Sequence, residues 1–326
     1  MARGRFWNGR DVMITGASGL VGSWLVEELL QQGAKIVCLV RDHVPDSRFF
    51  SEGFSSRVTV ARGDVEEAHA VSRVVNEYEP KTVFHLGAQA IVQTANRAPI
   101  DTFKANIEGT WNVLEACRMH DQSIEQIIVA SSDKAYGDQK ALPYTEETPL
   151  HGMHPYDVSK SCADLISQSY AKTYGLPVAI SRCGNFFGGG DLNFNRIVPG
   201  TIRSLYKNAA PEIRTDGKFV RDYIYVKDAV SAYATLAEKY SGKLKGEAFN
   251  FSNEVQMTTL DMVDMIEKLM KKKIPAKVLN NASGEIRNQH LSAKKAREIL
   301  GWKSEYGIEN GLKETIAWYQ SYFRKN

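Results

Sequence analysis

Asp11-Val-Met-Ile-Thr15-Gly16-Ala-Ser18-Gly19-Leu20-Val21-Gly22-Ser-Trp-Leu-Val-Glu-Glu-Leu-Leu30 runs from a short apolar stretch through a glycine turn into a helical repeat. Read as strand, turn and helix, it is the opening unit of a dinucleotide-binding fold. Glycines at 16, 19 and 22 permit a tight turn and let backbone N–H groups approach a diphosphate, which then sits against the helix N-terminus. A glycine triplet also serves plain helix–strand packing. Its place in the first β-α unit of the chain favours the dinucleotide reading.

The pattern repeats outward from there. Apolar runs at Ala34–Val40, Arg57–Arg62, Thr82–Leu86, Gln126–Ala130 and Leu176–Ser181 alternate with helical stretches, giving six β-α repeats. Helices are predicted through Val74 and Val75 to near Pro80, over 99–118 with Phe103, Ile107, Trp111, Leu114 and Ala116 apolar, and from Tyr156 onward. Residues 43–57 read as a loop. This alternation predicts an α/β, doubly wound parallel sheet of Rossmann type, with ligands at the carboxyl ends of the strands.

From Gly184 the alternation breaks. Residues 185–196 are loop-rich, Arg221–Asp228 returns to strand then helix, and Thr258–Lys272 is an amphipathic helix. A smaller α/β substrate domain, interleaved with the first, is expected. The predicted boundaries are 1–183 and about 222–252 for dinucleotide binding, and 184–221 and about 253–326 for the substrate.

Composition sets limits. The 326 residues are 43% hydrophobic and 24% charged, ordinary for a globular protein with a sizeable core. A net charge of +3 without a long basic run argues against nucleic acid; Lys271-Lys272-Lys273 reads as a solvated helix end. No apolar stretch approaches membrane-spanning length and the N-terminus carries no signal core, so a cytoplasmic protein with no membrane partner is expected. Cys38, Cys117 and Cys162 fall in apolar patterns and read as small core residues, while His151 and His154 lack companions at metal-ligand spacing.

The chemistry concentrates between Ser131 and Lys160. Ser132, Asp133 and Lys134 follow the fifth strand directly, and Tyr156 and Lys160 open a helix after Pro155. Tyr-x-x-x-Lys occurs three times, at Tyr136/Lys140, Tyr156/Lys160 and Tyr223/Lys227. Only the second lies on a helical pattern, with Cys162, Leu165, Ile166 and Tyr170 at helical spacing. There the two side chains share a face about 6 Å apart along the axis. An ammonium in that position is expected to lower the phenol's pKa. At the second strand's end, Val40-Arg41-Asp42 gives conflicting signals: an acid suits a ribose 2′-hydroxyl and an arginine a 2′-phosphate. Arg41 tilts the expectation toward NADP over NAD. Asp64 reads either as an adenine contact or as a helix N-cap. Gly87-Ala88-Gln89 forms a small-residue turn beside the cofactor, and Asn106 lies within the 99–118 helix.

With Gly16, Gly19, Gly22, Ser132, Tyr156 and Lys160, nearly the whole chain resembles the extended short-chain dehydrogenase/reductase family, which acts mostly on nucleotide sugars. Phe6-Trp-Asn-Gly9, Ser132-Asp133-Lys134, Gly184–Asp191 and Asn195–Pro199 are similar to the CDP-glucose 4,6-dehydratase group. Arg221-Asp222-Tyr223-Ile224 follows the general epimerase/dehydratase pattern instead and leaves the nucleotide and sugar open.

The resemblance implies an NAD(P)-dependent nucleotide-sugar 4,6-dehydratase. A nucleotide-sugar epimerase is the alternative; a reductase or a non-catalytic dinucleotide sensor stand further off. Implied catalytic residues are Ser132, Asp133, Lys134, Tyr156 and Lys160, with Asp133 as candidate acid. Gly16, Ser18, Gly19, Leu20, Val21, Gly22, Arg41, Asp64, Val65, Leu86, Ala88, Gln89, Asn106, Tyr156 and Lys160 are the implied cofactor contacts. Gln89, Asn185, Arg196, Arg221 and Arg287 are the implied substrate contacts. A homodimer through helices near 99–118 and 156–173 is implied as well.

Overall fold

The computed structural model describes residues 6–282 and 284–325. Twelve strands are present among them: β1 Asp11–Thr15, β2 Lys35–Val40, β3 Thr59–Arg62, β4 Thr82–His85, β5 Gln126–Ala130, β6 Val178–Cys183, β7 Asn185–Phe187, β8 Glu212–Ile213, β9 Val220–Tyr225, β10 Ala248–Phe251, β11 Gln256–Thr258 and β12 Lys277–Val278. Seven form one sheet in the order β10-β6-β5-β4-β1-β2-β3, and every pairing in it is parallel.

Helices cover both faces of this sheet, so its strands read as continuous apolar runs rather than half-polar alternations. The two-residue period shows in the packing. Along β1, Val12 and Ile14 join the core beneath the Leu20–Gln31 and Val226–Glu238 helices, and Met13 joins the opposite core with Val74, Val113 and Leu114. Strand order reverses between β1 and β4, which opens a crevice at their carboxyl ends.

Several expectations are refined. β6 and β7 are separated only by Gly184, where a Cβ would lie 2.6 Å from the Asp222 carbonyl oxygen. This close crossing lets β7 pair with β9, and β9 with antiparallel β11, in a separate three-stranded sheet. β9 therefore pairs outside the large sheet, whereas β10 pairs with β6 inside it. The 99–118 helix is divided into Pro99–Phe103, a π turn at Lys104–Glu108 and Gly109–Met119. Residues 43–57 carry short helical turns at Arg48–Ser51 and Phe54–Ser56. Cys162 is half-buried, not a core residue like Cys38 and Cys117. No helix among the described residues is long and apolar enough to cross a membrane.

One buried ion pair ties the mounting together. Arg182 of β6 grips Asp164 of the Pro155–Tyr174 helix with Nε and Nη2, each at 2.8 Å, and donates from Nη1 to the Tyr136 hydroxyl at 2.9 Å. Asp164→Ala leaves this guanidinium buried without its partner, and urea unfolding is expected to show a loss of about 3–5 kcal/mol. Glu77→Ala, which breaks the exposed Arg73–Glu77 pair, is expected to cost below about 1 kcal/mol.

Candidate active site

The site begins at the glycine turn. Gly16 has φ +76°, and a Cβ on it would lie 2.7 Å from the Gly87 nitrogen. A Cβ on Gly22 would lie 2.1 Å from the Gly16 carbonyl oxygen. Bare backbone is therefore required at both points. The Leu20–Gln31 helix starts at Gly19 with no side-chain cap on its first N–H groups, the arrangement that receives a diphosphate. On this observation the chain fits a bound dinucleotide.

A cavity of about 650 Å³ extends from this turn across the strand ends. Gly16, Ser18, Gly19, Leu20, Val21 and Gly22 line its middle, with Arg41, Asp64 and Val65 toward β2 and β3. Leu86, Ala88 and Gln89 lie beyond β4. Ser132, Asp133, Lys134, Tyr156 and Lys160 face the same cavity, as do Asn185, Arg196 and Arg221. Asp64 does not cap the helix that follows, whose N-cap is Glu67; its Oδ1 accepts from the Glu66 nitrogen.

Two predicted contacts stand elsewhere. Asn106 is buried away from the cavity lining in the π turn. Its Oδ1 accepts from the Gln89 nitrogen at 2.7 Å, and its Nδ2 donates to the Gln89 carbonyl at 3.0 Å and to Ser159 Oγ at 2.8 Å. It shapes the turn that carries Gln89. Arg287 is exposed, lies over the Phe219 ring and reaches Asp216 at 3.1 Å. It does not line the cavity, whereas Glu285, two residues earlier, does and pairs with Arg221 at 3.2 Å. Tyr233, Arg214 and Glu285 line the cavity and were not anticipated. Tyr233 sits mid-helix and reads in sequence as an ordinary core aromatic; Glu285, two residues before Arg287, was the nearest available signal.

The residues expected to carry protons are held locally. After β5 the chain stays extended through Ser132, then tightens into a 3₁₀ turn at Asp133–Tyr136, capped by Ser132 Oγ accepting from the Lys134 nitrogen at 3.2 Å. Ser132 also donates to Asp133 Oδ1 at 3.0 Å, while Asp133 Oδ2 is buried without a hydrogen-bond partner. Burial pushes the Asp133 carboxyl above its ordinary range, against the pull of Lys134 and Ser132. Burial likewise lowers the Lys134 ammonium, aided by repulsion from Arg221.

The Tyr156–Lys160 pair departs from the sequence expectation. Burial pushes the Tyr156 phenol up to about 12, with Arg196 and a hydrogen bond with Ser132 pulling the other way. Lys160 does not offset that burial, because its Nζ donates instead to the Ala130 carbonyl at 2.8 Å. Burial also draws Lys160 itself down to about 8. Behind them, His85 is wedged between Thr15 Oγ1 at 2.8 Å and Thr110 Oγ1 at 3.1 Å and is pushed down to about 3, which keeps it a neutral strut.

A parallel dinucleotide-type sheet with Ser132, Tyr156 and Lys160 meeting over its strand ends defines the class, an extended short-chain dehydrogenase/reductase. Within that class the chain belongs to the family described as GDP-mannose 4,6 dehydratase, whose model matches residues 13–315. A CDP-glucose 4,6-dehydratase of Salmonella typhimurium is 29% identical over 98% of this chain and 93% of its own length. The solved dTDP-glucose 4,6-dehydratase of Bacillus anthracis, in complex with NAD, is 26% identical with a TM-score of 0.85, covering 96% of this chain and 97% of that one. A UDP-glucose 4-epimerase of Thermotoga maritima, solved with UDP-glucose, is 25% identical with a TM-score of 0.87, covering 96% and 99%.

Tyr156→Phe keeps the ring's packing and removes the proton-carrying oxygen. Turnover is expected to fall by about 10² to 10⁴, while dinucleotide affinity, measured by calorimetry, stays unchanged.

Proposed function

We propose that this chain is a nucleotide-sugar 4,6-dehydratase, a lyase that converts its substrate to a 4-keto-6-deoxy sugar nucleotide. The observation that carries this reading is Asp133. Its carboxyl is buried at the end of β5, pushed toward the protonated form, and has one oxygen without a partner in the cavity that Tyr156 and Lys160 share. Epimerisation at C4 has no use for a buried acid at C6; loss of water from C6 does.

The residues divide the work as follows. Tyr156 takes the proton of the sugar 4-hydroxyl, with Ser132 donating to the 4-oxygen. Held in the glycine cradle of Gly16, Gly19 and Gly22, a nicotinamide dinucleotide would supply the hydride acceptor for C4 and the hydride donor for C6, and its positive ring would draw the Tyr156 phenol down. The 4-ketone acidifies C5, and the Lys134 amine takes the C5 proton. The electron pair of that bond forms the C5–C6 double bond and expels the 6-hydroxide, which leaves as water with the proton of Asp133. Lys134 returns its proton to C5 as C6 is reduced. The proton gained by Tyr156 balances the one lost by Asp133 through solvent. Lys160 holds the ribose next to the reacting ring, and Asn185, Arg196 and Arg221 hold the nucleotide diphosphate; a guanidinium fork suits that anion.

For the cofactor, charge balance favours NAD over the NADP that Arg41 alone suggested. Arg41 Nε donates to Asp42 at 2.6 Å, and Nη1 lies 3.6 Å from Asp64. A 2′-phosphate there meets two carboxylates around one guanidinium, whereas a 2′-hydroxyl can donate to either carboxylate. The similar B. anthracis enzyme was solved with NAD.

We further propose a homodimer. The helices near 99–118 and 156–173 leave Ile100, Trp111, Met119, Leu165 and Tyr174 exposed, and a second copy would cover them. The proposed substrate domain gathers the two small sheets, and four free cysteines suit a reducing, cytoplasmic compartment.

Incubating the protein with a panel of nucleotide sugars, without added cofactor, is expected to yield a 4-keto-6-deoxy product. A sugar inverted at C4 would make the chain an epimerase. Asp133→Asn is expected to oxidise C4 and then stall, so that near-ultraviolet absorbance of reduced cofactor accumulates. Normal product from this variant removes Asp133 from the acid role. Dinucleotide extracted from purified protein is expected to be NAD; recovery of NADP alone restores the Arg41 reading.

A further inference from the structure

Lys134 has a partner that belongs to neither substrate nor cofactor. Its Nζ donates to Gln289 Oε1 at 2.5 Å, across 155 residues of sequence. Gln289 is fully buried and stands behind Lys134, outside the cavity lining. Its other amide atom, Nε2, is buried and has no hydrogen-bond partner. A buried, unpaired amide nitrogen costs roughly 1–3 kcal/mol, so its retention beside a lysine that must change charge calls for a reason.

The segment bearing Gln289 is clamped on three sides. The Gln289 nitrogen donates to the Val220 carbonyl at 3.2 Å, the Tyr144 nitrogen donates to the His290 carbonyl at 2.9 Å, and the Leu291 nitrogen donates to Asp222 Oδ2 at 3.1 Å. The backbone that carries the amide is therefore fixed, while Nε2 makes no hydrogen bond that would lock the amide in one orientation. As placed, the carbonyl oxygen accepts from an ammonium. Turned over, Nε2–H donates to the lone pair of a neutral amine. A carboxylate at this point would do only the first.

We propose that Gln289 is a positioning residue that holds Lys134 both as ammonium and as amine, so that Lys134 takes the C5 proton and gives it back within one turnover. This rests on the dehydratase reading. The charged groups facing Lys134 from the packed elements are Asp133 on its own turn, Asp157 on the Pro155–Tyr174 helix, Arg221 on β9 and Glu285 on the approach to Gln289. The acids favour the ammonium and Arg221 opposes it. The neutral amide adds no charge of its own to this balance.

The test uses the full-length chain as wild type, Gln289→Glu and Gln289→Met. Competitive acetylation with acetic anhydride across pH, read at the Lys134 peptide by mass spectrometry, reports the midpoint at which Lys134 becomes an amine. Gln289→Glu is expected to raise that midpoint by about one unit or more and to move the acid limb of dehydration up with it. Dehydrated product at neutral pH is expected to fall about tenfold or more, in step with the midpoint, with C4 oxidation, read as near-ultraviolet absorbance, changed less than about twofold. Gln289→Met, which keeps the volume without a charge, is expected to lose about tenfold in dehydration with no rise in the midpoint. An unchanged midpoint and acid limb in Gln289→Glu overturns the proposal, as does wild-type dehydration by Gln289→Met. If Gln289→Glu fails to fold, Gln289→Met decides. A shifted midpoint in a protein whose wild type dehydrates no nucleotide sugar leaves the Gln289–Lys134 coupling standing and removes the dehydratase reading instead.

Discussion

The Arg182–Asp164 pair is the constraint on which the site depends. It is two-pronged, almost wholly buried, and joins β6 to the helix that begins with Tyr156 and Lys160. Through Tyr136, whose hydroxyl donates to Asn250 at 2.7 Å, it reaches β10 and the turn that carries Asp133 and Lys134. Asp164 also favours the charged form of Lys160, one helical turn away. An ion pair of this kind contributes little net stability against an apolar replacement, yet leaving one half unpaired is costly. Its value is geometric: it ties β6 to the helix of Tyr156 and Lys160 and, through Tyr136, to the turn of Asp133 and Lys134, and all four of those side chains line one cavity.

Burial does most of the chemical tuning. It raises Asp133, lowers Lys134 and Lys160, and raises Tyr156. The single physical cause, loss of water around a charge, pushes acids and bases toward their neutral forms. For Asp133 and Lys134, which line the same cavity, that direction is the one the proposed acid and base roles need. Burial also holds the Tyr156 phenol up to about 12, and in the proposed reaction the positive ring of a bound dinucleotide would oppose that rise.

The charge pattern along the cavity has a similar logic. Arg196 and Arg221 each carry an acid within reach, Asp191 and Glu285. These pairs hold both guanidiniums at the cavity, and in the proposed reading a diphosphate would replace or share the carboxylate contacts. At the adenosine end the balance tips the other way, with two carboxylates around Arg41.

The sequence by itself determined the parts whose cause is local. Alternating apolar runs and helical repeats announced the parallel sheet. Gly16 and Gly22 announced the cradle because only a residue without Cβ fits there. Ser132, Asp133 and Lys134 were legible because they follow a strand directly, and Tyr156 and Lys160 because helical spacing puts them on one face. The tertiary structure decided everything that depends on which elements meet. It sent Lys160 to the Ala130 carbonyl, moved β9 into a second sheet, buried Asn106 behind the Gln89 turn, left Arg287 outside the cavity and brought Gln289 to Lys134. Such contacts are set by strand order and loop closure over long stretches of chain. A side chain's neighbours along the sequence carry no trace of a partner that only folding delivers.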